Sequence, residues 1–512
     1  MPDTLASVLP RWAAMPSTAA VNAPGAAPLW HAFEARVGEW GGLIAVREPD
    51  RAWTFGDLAG WSERLAREFQ AAGLKEGAAV GLHLPNGPAF LAGVLGLARA
   101  AAVIGLVSTK YEPGELAAVC DGAGLRWLLT AAPLRLGGLE ERIASVREFD
   151  VAGTRVGLVR LLGPDGPGPI PPDTALIKFT SGSTGKPKGV ALSAVSLLAE
   201  GGNIGSTLGW RPGTRILAPV PLSHSYGFHL GVLAVIAGGA EISLPDVIIP
   251  RRLFAMLAEQ RTEIFVGIPT LYRQLLQTRL AATPLPALRF LLSATAPLPG
   301  SVIEAFAARF GLPICQHYGS SETGCVTNQV PSEAIARLDS VGRPFDGVTI
   351  RIQRPDGSEA APGEDGEVVV SGAAVATGYV MGGPPESPFV GRTYRMGDLG
   401  RMVDGFLYLR GRLDDMINVG GLKVWPLEIA RALEACPGVH EAGVAEAVTA
   451  SGESVVYAQV TVADPGLTES TVLEHCGRVL APYKVPRRID IVAELPRGPT
   501  GKIRIPRQGL PS

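Results

Sequence analysis

Lysine is scarce in this chain. Eight (Lys75, Lys110, Lys178, Lys186, Lys188, Lys423, Lys484 and Lys502) contribute to a combined lysine and arginine count of 46. Where arginine is the default cation, a lysine can mark a need for a compact, mobile point charge. Cysteine is sparse as well: Cys120, Cys315, Cys325, Cys436 and Cys476 are scattered and form no C-x-x-C pair. That disfavours a zinc site or disulfide framework and favours buried free thiols in a reducing compartment. Net charge is only −2, which leaves no broad nucleic-acid footprint. The first twenty residues lack a basic segment leading into an apolar one, so no signal peptide is expected. Ala89–Val107 is nearly all apolar, but Pro88 precedes it and Arg99 lies near its middle. A central arginine costs a spanning helix about 2.5–3.5 kcal/mol. A buried helix over 89–100 and a buried strand over 101–107 are expected instead, in a cytoplasmic protein with no membrane or nucleic-acid partner.

With 512 residues, 46% of them apolar, the chain can build several packed layers. Gly/Pro-rich Leu162–Asp173 reads as a surface connection. Beyond it, short apolar runs (Ala175–Phe179, Ile264–Gly267, Pro313–His317) alternate with helical patterns, and Ser301–Glu304 has the sequence of a capping box opening a helix that ends near Gly311. Alternation of this kind predicts a layered α/β architecture. After Gly411 the texture changes to a helix over Pro426–Ala435, strands over Val439–Val448 and Ser454–Val462, and a helix over Glu469–Leu480. These predict a large N-terminal domain, 1–411, and a small mobile α+β domain, 412–512.

Phe179-Thr-Ser-Gly-Ser-Thr-Gly-Lys-Pro-Lys-Gly-Val190 carries the strongest chemical signal. Such a loop turns successive backbone N–H groups inward around phosphates while its lysines neutralise charge. Its spacing is not that of a Walker A loop, and no G-x-S-x-G nucleophile frame fits. Its apolar, strand-like flanks disfavour a flexible linker.

The loop resembles the phosphate-binding motif of the acyl-adenylate-forming superfamily, which includes acyl- and aryl-CoA synthetases, non-ribosomal peptide adenylation domains and beetle luciferases. Four further motifs follow in that family's order: Tyr318–Gly324 (YGSSETG), Tyr394–Leu399 (YRMGDL), Gly411–Gly421 (GRLDDMINVGG) and Pro499–Ile503 (PTGKI). The resemblance is closest to an acyl- or aryl-CoA ligase. It implies ATP-dependent formation of an acyl-AMP with release of pyrophosphate, then transfer of the acyl group to a thiol.

The resemblance also implies roles. Lys502 bridges the substrate carboxylate and the α-phosphate. Thr180, Ser181, Gly182, Ser183, Thr184, Gly185, Lys186 and Lys188 hold the β- and γ-phosphates. Glu322 is the Mg²⁺ ligand. Ser293, Ala294, Thr295, Tyr318, Gly319, Ser320 and Ser321 surround the nucleotide, with Tyr318 against adenine. Asp398 accepts from the ribose hydroxyls, assisted by Arg412. Asp414 matches the hinge about which the C-terminal domain turns between half-reactions, and Gly420 and Gly421 match the strip beside a pantetheine tunnel. His224 matches a residue that gates the tunnel. Tyr226, Gly227, Phe228, Ile268, Ala296 and His317 are expected around the acid, and His224, His229 and His317 are expected as neutral imidazoles rather than a metal site.

Departures from the pattern include Ser223 where an aromatic residue is common, Met396 where a threonine is usual, and Ser320-Ser321 before Glu322. No aspartate that would meet an α-ammonium stands in the acyl segment, which disfavours an amino-acid substrate. The expected reactants are a small carboxylic acid, ATP with Mg²⁺, and CoA or a carrier-protein phosphopantetheine. An amine acceptor and an inactive nucleotide-binding homologue remain as alternatives, as do monomer and homodimer.

Overall fold

Runs rich in valine, leucine and isoleucine form two large sheets, and the helices between them are largely buried. The computed structural model describes residues 23–132, 136–163, 170–181, 187–279, 284–449, 452–464, 466–497, 503–506 and 508–509, with only the backbone at 181 and 508–509. An eight-stranded sheet runs Gly378–Met381, Pro187–Ser193, Thr174–Ser181, Val103–Leu106, Ala79–His83, Trp127–Ala131, Thr154–Leu161, Ile143–Val151. A nine-stranded sheet has Ile314–Ser320, Phe290–Ser293, Ile264–Gly267, Arg215–Leu217, Glu241–Ser243 and Ile44–Arg47 as parallel neighbours. One core cluster joins both sheets through the helices Pro88–Arg99, Ala194–Leu208 and Leu233–Gly238.

The apolar stretch after Pro88 is a buried helix, Pro88–Arg99, followed by the strand Val103–Leu106. Among the described residues no helix is long and apolar enough to cross a membrane. All five cysteines are buried and unpaired. The capping box expected at Ser301 does not form. The helix Gly300–Phe310 begins two residues earlier than that box requires, with Pro299, which has no side-chain acceptor, at its cap. Gly311 ends it in a left-handed conformation, φ +76°.

A smaller sheet pairs Thr393–Val403 with Phe406–Arg412 and places Asp398 opposite Arg412. Beyond it lies the small C-terminal domain. Its strands Val439–Val448 and Ser454–Val462 fall where the sequence places them, and the helices Pro426–Glu434 and Glu469–Val479 share a core with them. One buried ionic cluster ties this domain to the large one. Arg273, on the helix Pro269–Gln277, pairs with Glu441 and lies 3.6 Å from Glu434, while Arg497 takes the other oxygen of Glu441.

Candidate active site

The phosphate-loop sequence closes a hairpin, in which Thr180 pairs with Lys188 and Ser181 with Pro187. Gly182, Ser183, Thr184, Gly185 and Lys186, between those strands, lie outside the described residues, as does Lys502. The pairing brings Thr180 and Lys188 to the same end of the hairpin. Lys188 Nζ stands 6.0 Å from the centre of the Tyr379 ring, and the Tyr379 hydroxyl donates to Glu322 Oε1 at 2.9 Å. Tyr394 completes the contact, 3.0 Å from the Tyr379 hydroxyl. Burial and the Glu322 carboxylate raise both phenols above their usual range, so both stay protonated and one can hold Glu322 in place.

The Tyr318–Gly324 motif forms the turn between the strands Ile314–Ser320 and Gly324–Asn328. Ser320 Oγ accepts from the backbone N–H groups of Glu322 and Thr323, both at 3.2 Å, which closes the turn under the Glu322 side chain. Ser321 Oγ lies 2.6 Å from Ser225 Oγ, fastening this turn to the acyl segment. Tyr318 donates to Asp398, and Arg412 stands 3.7 Å from the same carboxylate. Burial, then Asp398, push the Tyr318 phenol well up. Residues 80 apart in sequence thus meet as one hydroxyl, one carboxylate and one guanidinium.

Ser293 and Ala294 are buried, and Ser293 pairs with Gln316 on the neighbouring strand. Thr295 holds φ +76°. A β-branched residue in that region costs about 1–3 kcal/mol and persists where the surroundings impose it, commonly at functional sites. Gly319 has no room for a side chain, because a Cβ would lie 2.1 Å from the Gly324 carbonyl oxygen.

Tyr226 and His317 pack ring to ring at 5.5 Å, with Gly227 and Phe228 buried behind and Ile268 and Ala296 partly exposed. Burial lowers His224, His229 and His317, the last to about 4, so all three are neutral at pH 7, as the sequence suggests. Asp414 is exposed, 3.8 Å from Arg412. Gly420 and Gly421 both have positive φ and make the two-residue turn joining Val419 to Leu422. The hairpin alone therefore requires both glycines.

Sequence reasoning missed a charged group in the core. Lys178, Glu200 and His229 are all buried. Lys178 Nζ contacts His229 Nε2, His229 Nδ1 lies 2.8 Å from a Glu200 oxygen, and that oxygen accepts from the Cys325 backbone N–H at 2.9 Å. Burial pushes Glu200 up, but His229, Lys178 and the hydrogen bonds outweigh it and leave the carboxyl below its usual range. Cys325 Sγ is within metal-ligating reach of Glu200 and His229. Lys178 and Glu200, however, engage both ring nitrogens, leaving no lone pair for an ion. Two signals were available: a lysine in a chain poor in them, and a single carboxylate in the apolar run Ala194–Leu208.

Comparison with known proteins bears on the family and the fold. A family model described as AMP-binding enzyme matches residues 33–380, and one described as AMP-binding enzyme C-terminal domain matches 428–502. The chain is 32% identical over 487 residues to a sulfoacetate–CoA ligase of Cupriavidus necator, covering 92% of this chain and 95% of that one. It is 30% identical over 475 residues to a feruloyl-CoA synthase of an Amycolatopsis species, covering 90% and 94%. The o-succinylbenzoate CoA synthetase of Bacillus subtilis, solved with its acyl-adenylate intermediate, shares the fold with a TM-score of 0.80 at 24% identity, over 92% of this chain and 96% of that one. An amide bond synthetase from Marinactinospora thermotolerans gives 0.81 at 25%, over 93% and 98%. The chain belongs to the family of AMP-binding enzymes.

Proposed function

We propose that this enzyme activates a carboxylic acid with ATP as the acyl-adenylate and then transfers the acyl group to coenzyme A. The observation that carries the reading is Tyr379, whose ring lies beneath Lys188 of the phosphate-loop hairpin and whose hydroxyl holds Glu322. It joins two motifs far apart in sequence into one anion-handling surface.

The two half-reactions make different demands. In the first, an oxygen of the acid attacks the α-phosphorus and pyrophosphate leaves. Thr180, Lys186 and Lys188 receive the β- and γ-phosphates, and Lys502 neutralises the two anions that must meet. Asp398 and Tyr318 present an acceptor and a hydroxyl to the ribose, with Arg412 beside them. Glu322 suits Mg²⁺, which is commonly bound through one or two carboxylates plus substrate phosphates; when bound, the ion draws charge off the triphosphate. Ser293, Ala294, Thr295, Gly319, Ser320 and Ser321 complete the nucleotide wall. In the second half-reaction the thiol sulfur bonds to the acyl carbon, loses its proton, and AMP departs. His224, neutral, stands at the thiol entrance. Tyr226, Gly227, Phe228, Ile268, Ala296 and His317 enclose the acid.

Residues 412–512 act as the moving part. Asp414→Pro is expected to leave adenylation within about threefold while lowering thioester formation by about tenfold or more, since proline fixes φ at a residue that must turn. Equal loss in both steps, read by pyrophosphate release and by thioester yield from supplied acyl-adenylate, would remove Asp414 from the hinge.

Curated relatives include ligases for sulfoacetate and ferulate, so acids from small dianions to aryl acids belong in the assay. Pyrophosphate release is measured across aryl and alkyl acids with and without CoA, and products are weighed. An acyl-CoA product supports the reading. Adenylate that accumulates without thioester points to a carrier protein, or to an amine, the second acceptor suggested by the likeness to an amide bond synthetase.

A further inference from the structure

A carboxylate needs a reason to sit in a core. Glu200 is the single charged residue of the helix Ala194–Leu208, and it is buried, where an unpaired carboxylate is costly. Its Oε1 gathers two donors, the Cys325 backbone N–H at 2.9 Å and His229 Nδ1 at 2.8 Å. Lys178 Nζ contacts the other ring nitrogen of His229. A donor at Nε2 places the imidazole proton on Nδ1, facing Glu200.

This line of contacts ends at two motifs. Lys178 lies two residues before Thr180 on the strand Thr174–Ser181, which enters the phosphate-loop hairpin. Cys325 lies just beyond the turn that carries Glu322. His229 stands between them on Phe228–Val232, a π-turn, a form rare in helices and frequent at functional sites. Gly324 lets the Glu322 turn press against the group. Its φ is +71°, and a Cβ there would overlap the Glu200 carboxylate.

The Glu322 turn is therefore held from three sides. Ser320 Oγ closes it from within, the Ala376 N–H donates to the Glu322 carbonyl at 2.8 Å, and Glu200 takes the amide at its far end. Stability alone does not call for the third hold, since replacing a buried ionic group by apolar side chains of similar size is often neutral or stabilising. A magnesium ligand does call for it. Mg²⁺ demands near-octahedral geometry with oxygens at about 2.0–2.1 Å, so the residue that offers the oxygen must be fixed.

We infer that Glu200 is a positioning residue for adenylation: through the Cys325 amide it sets the turn that carries Glu322, and His229 and Lys178 orient its carboxylate. This rests on the role given to Glu322 under the proposed function.

Two charge-free pairs test it. Lys178→Met with Glu200→Gln keeps an oxygen for the Cys325 N–H, whereas Lys178→Met with Glu200→Leu removes it. Burial lowers the Lys178 ammonium, so both pairs omit that group and the comparison isolates the acceptor. Mn²⁺ binding in the presence of α,β-methylene-ATP is read from the electron paramagnetic resonance signal of the ion. Thioester formation is read from an acyl-adenylate that the wild type accepts. The leucine pair should bind Mn²⁺ about tenfold more weakly than the glutamine pair, which should stay within about threefold of the wild type. Thioester formation should stay within about threefold in both. Equal Mn²⁺ affinity in the two pairs would overturn the inference, and so would a matching tenfold loss of thioester formation, the mark of a merely structural role. The glutamine pair preserves both volume and acceptor, so a tenfold loss of Mn²⁺ affinity in it would overturn the inference even if the leucine pair does not fold. A wild type that takes up no Mn²⁺ with the nucleotide would overturn the role of Glu322 and the inference together.

Discussion

Lys502→Ala should lower adenylate formation by about a thousandfold and leave thioester formation from supplied acyl-adenylate largely intact. The size follows from electrostatics. Two unit charges about 4 Å apart at an effective dielectric of about 20 interact by about 4 kcal/mol, close to three powers of ten in rate. In the first step an anionic carboxylate must approach an anionic phosphate, so a cation bridging them, the role proposed for Lys502, would act where charge accumulates. In the second step the acyl carbon is already activated and AMP leaves as a stable anion. Arg497 and Ile503, the described residues that flank 498–502, pair as an isolated bridge. Separate assays of the half-reactions decide the point, and equal losses in both would remove Lys502 from its assigned role.

Arg273→Met should have the next largest effect, and by a different route. Arg273 is 7% exposed and satisfies two carboxylates of the C-terminal domain, Glu441 and Glu434. Without it Glu441 keeps Arg497 and Glu434 loses its guanidinium. Breaking a buried pair from one side costs about 3–5 kcal/mol. The domain orientation seen here should therefore lose its hold. Small-angle scattering should report a broader distribution of shapes, and the ratio of the two half-reaction rates should move by about tenfold. An unchanged profile together with an unchanged ratio would show that the contact is incidental. Burial pushes Glu434 up to about 7, against the pull of Arg273. A carboxyl raised above its free value of 4.5 favours the closed contact while protonated. Its contribution is complete below about pH 4.5 and is lost as pH rises through about 7. The contact should thus weaken toward neutral pH in the wild type, and the same scattering experiment across that window reads it.

Much of the site was legible because its chemistry is local in sequence. A phosphate loop needs consecutive backbone N–H groups, a turn needs its serine two residues from the amide it caps, and both leave contiguous motifs. Tyr318, Glu322, Asp398 and Arg412 were readable for that reason, and the two-domain α/β fold followed from the change in texture after Gly411. Tyr379 was not. Its hydroxyl reaches Glu322 only because Gly378–Met381 pairs with Pro187–Ser193, a register that no local pattern announces. Lys178 and Glu200 were hidden in the same way, since each alone looks like a polar interruption in an apolar run. The helix cap expected at Ser301 was misplaced by two residues, because Pro299 takes the cap position and Ser301 falls inside the first turn.

That pairing of Gly378–Met381 also bears on synthesis. The hairpin that frames the phosphate loop has an open edge until residue 381 leaves the ribosome, about three-quarters of the way along the chain. Until then Pro187–Ser193 presents unpaired N–H and C=O groups and buried-type side chains to solvent. A nascent chain arrested before that point would carry a sticky strand and call for a chaperone. Fragments ending near residue 370 should precipitate, whereas those extended past 381 should remain dispersed.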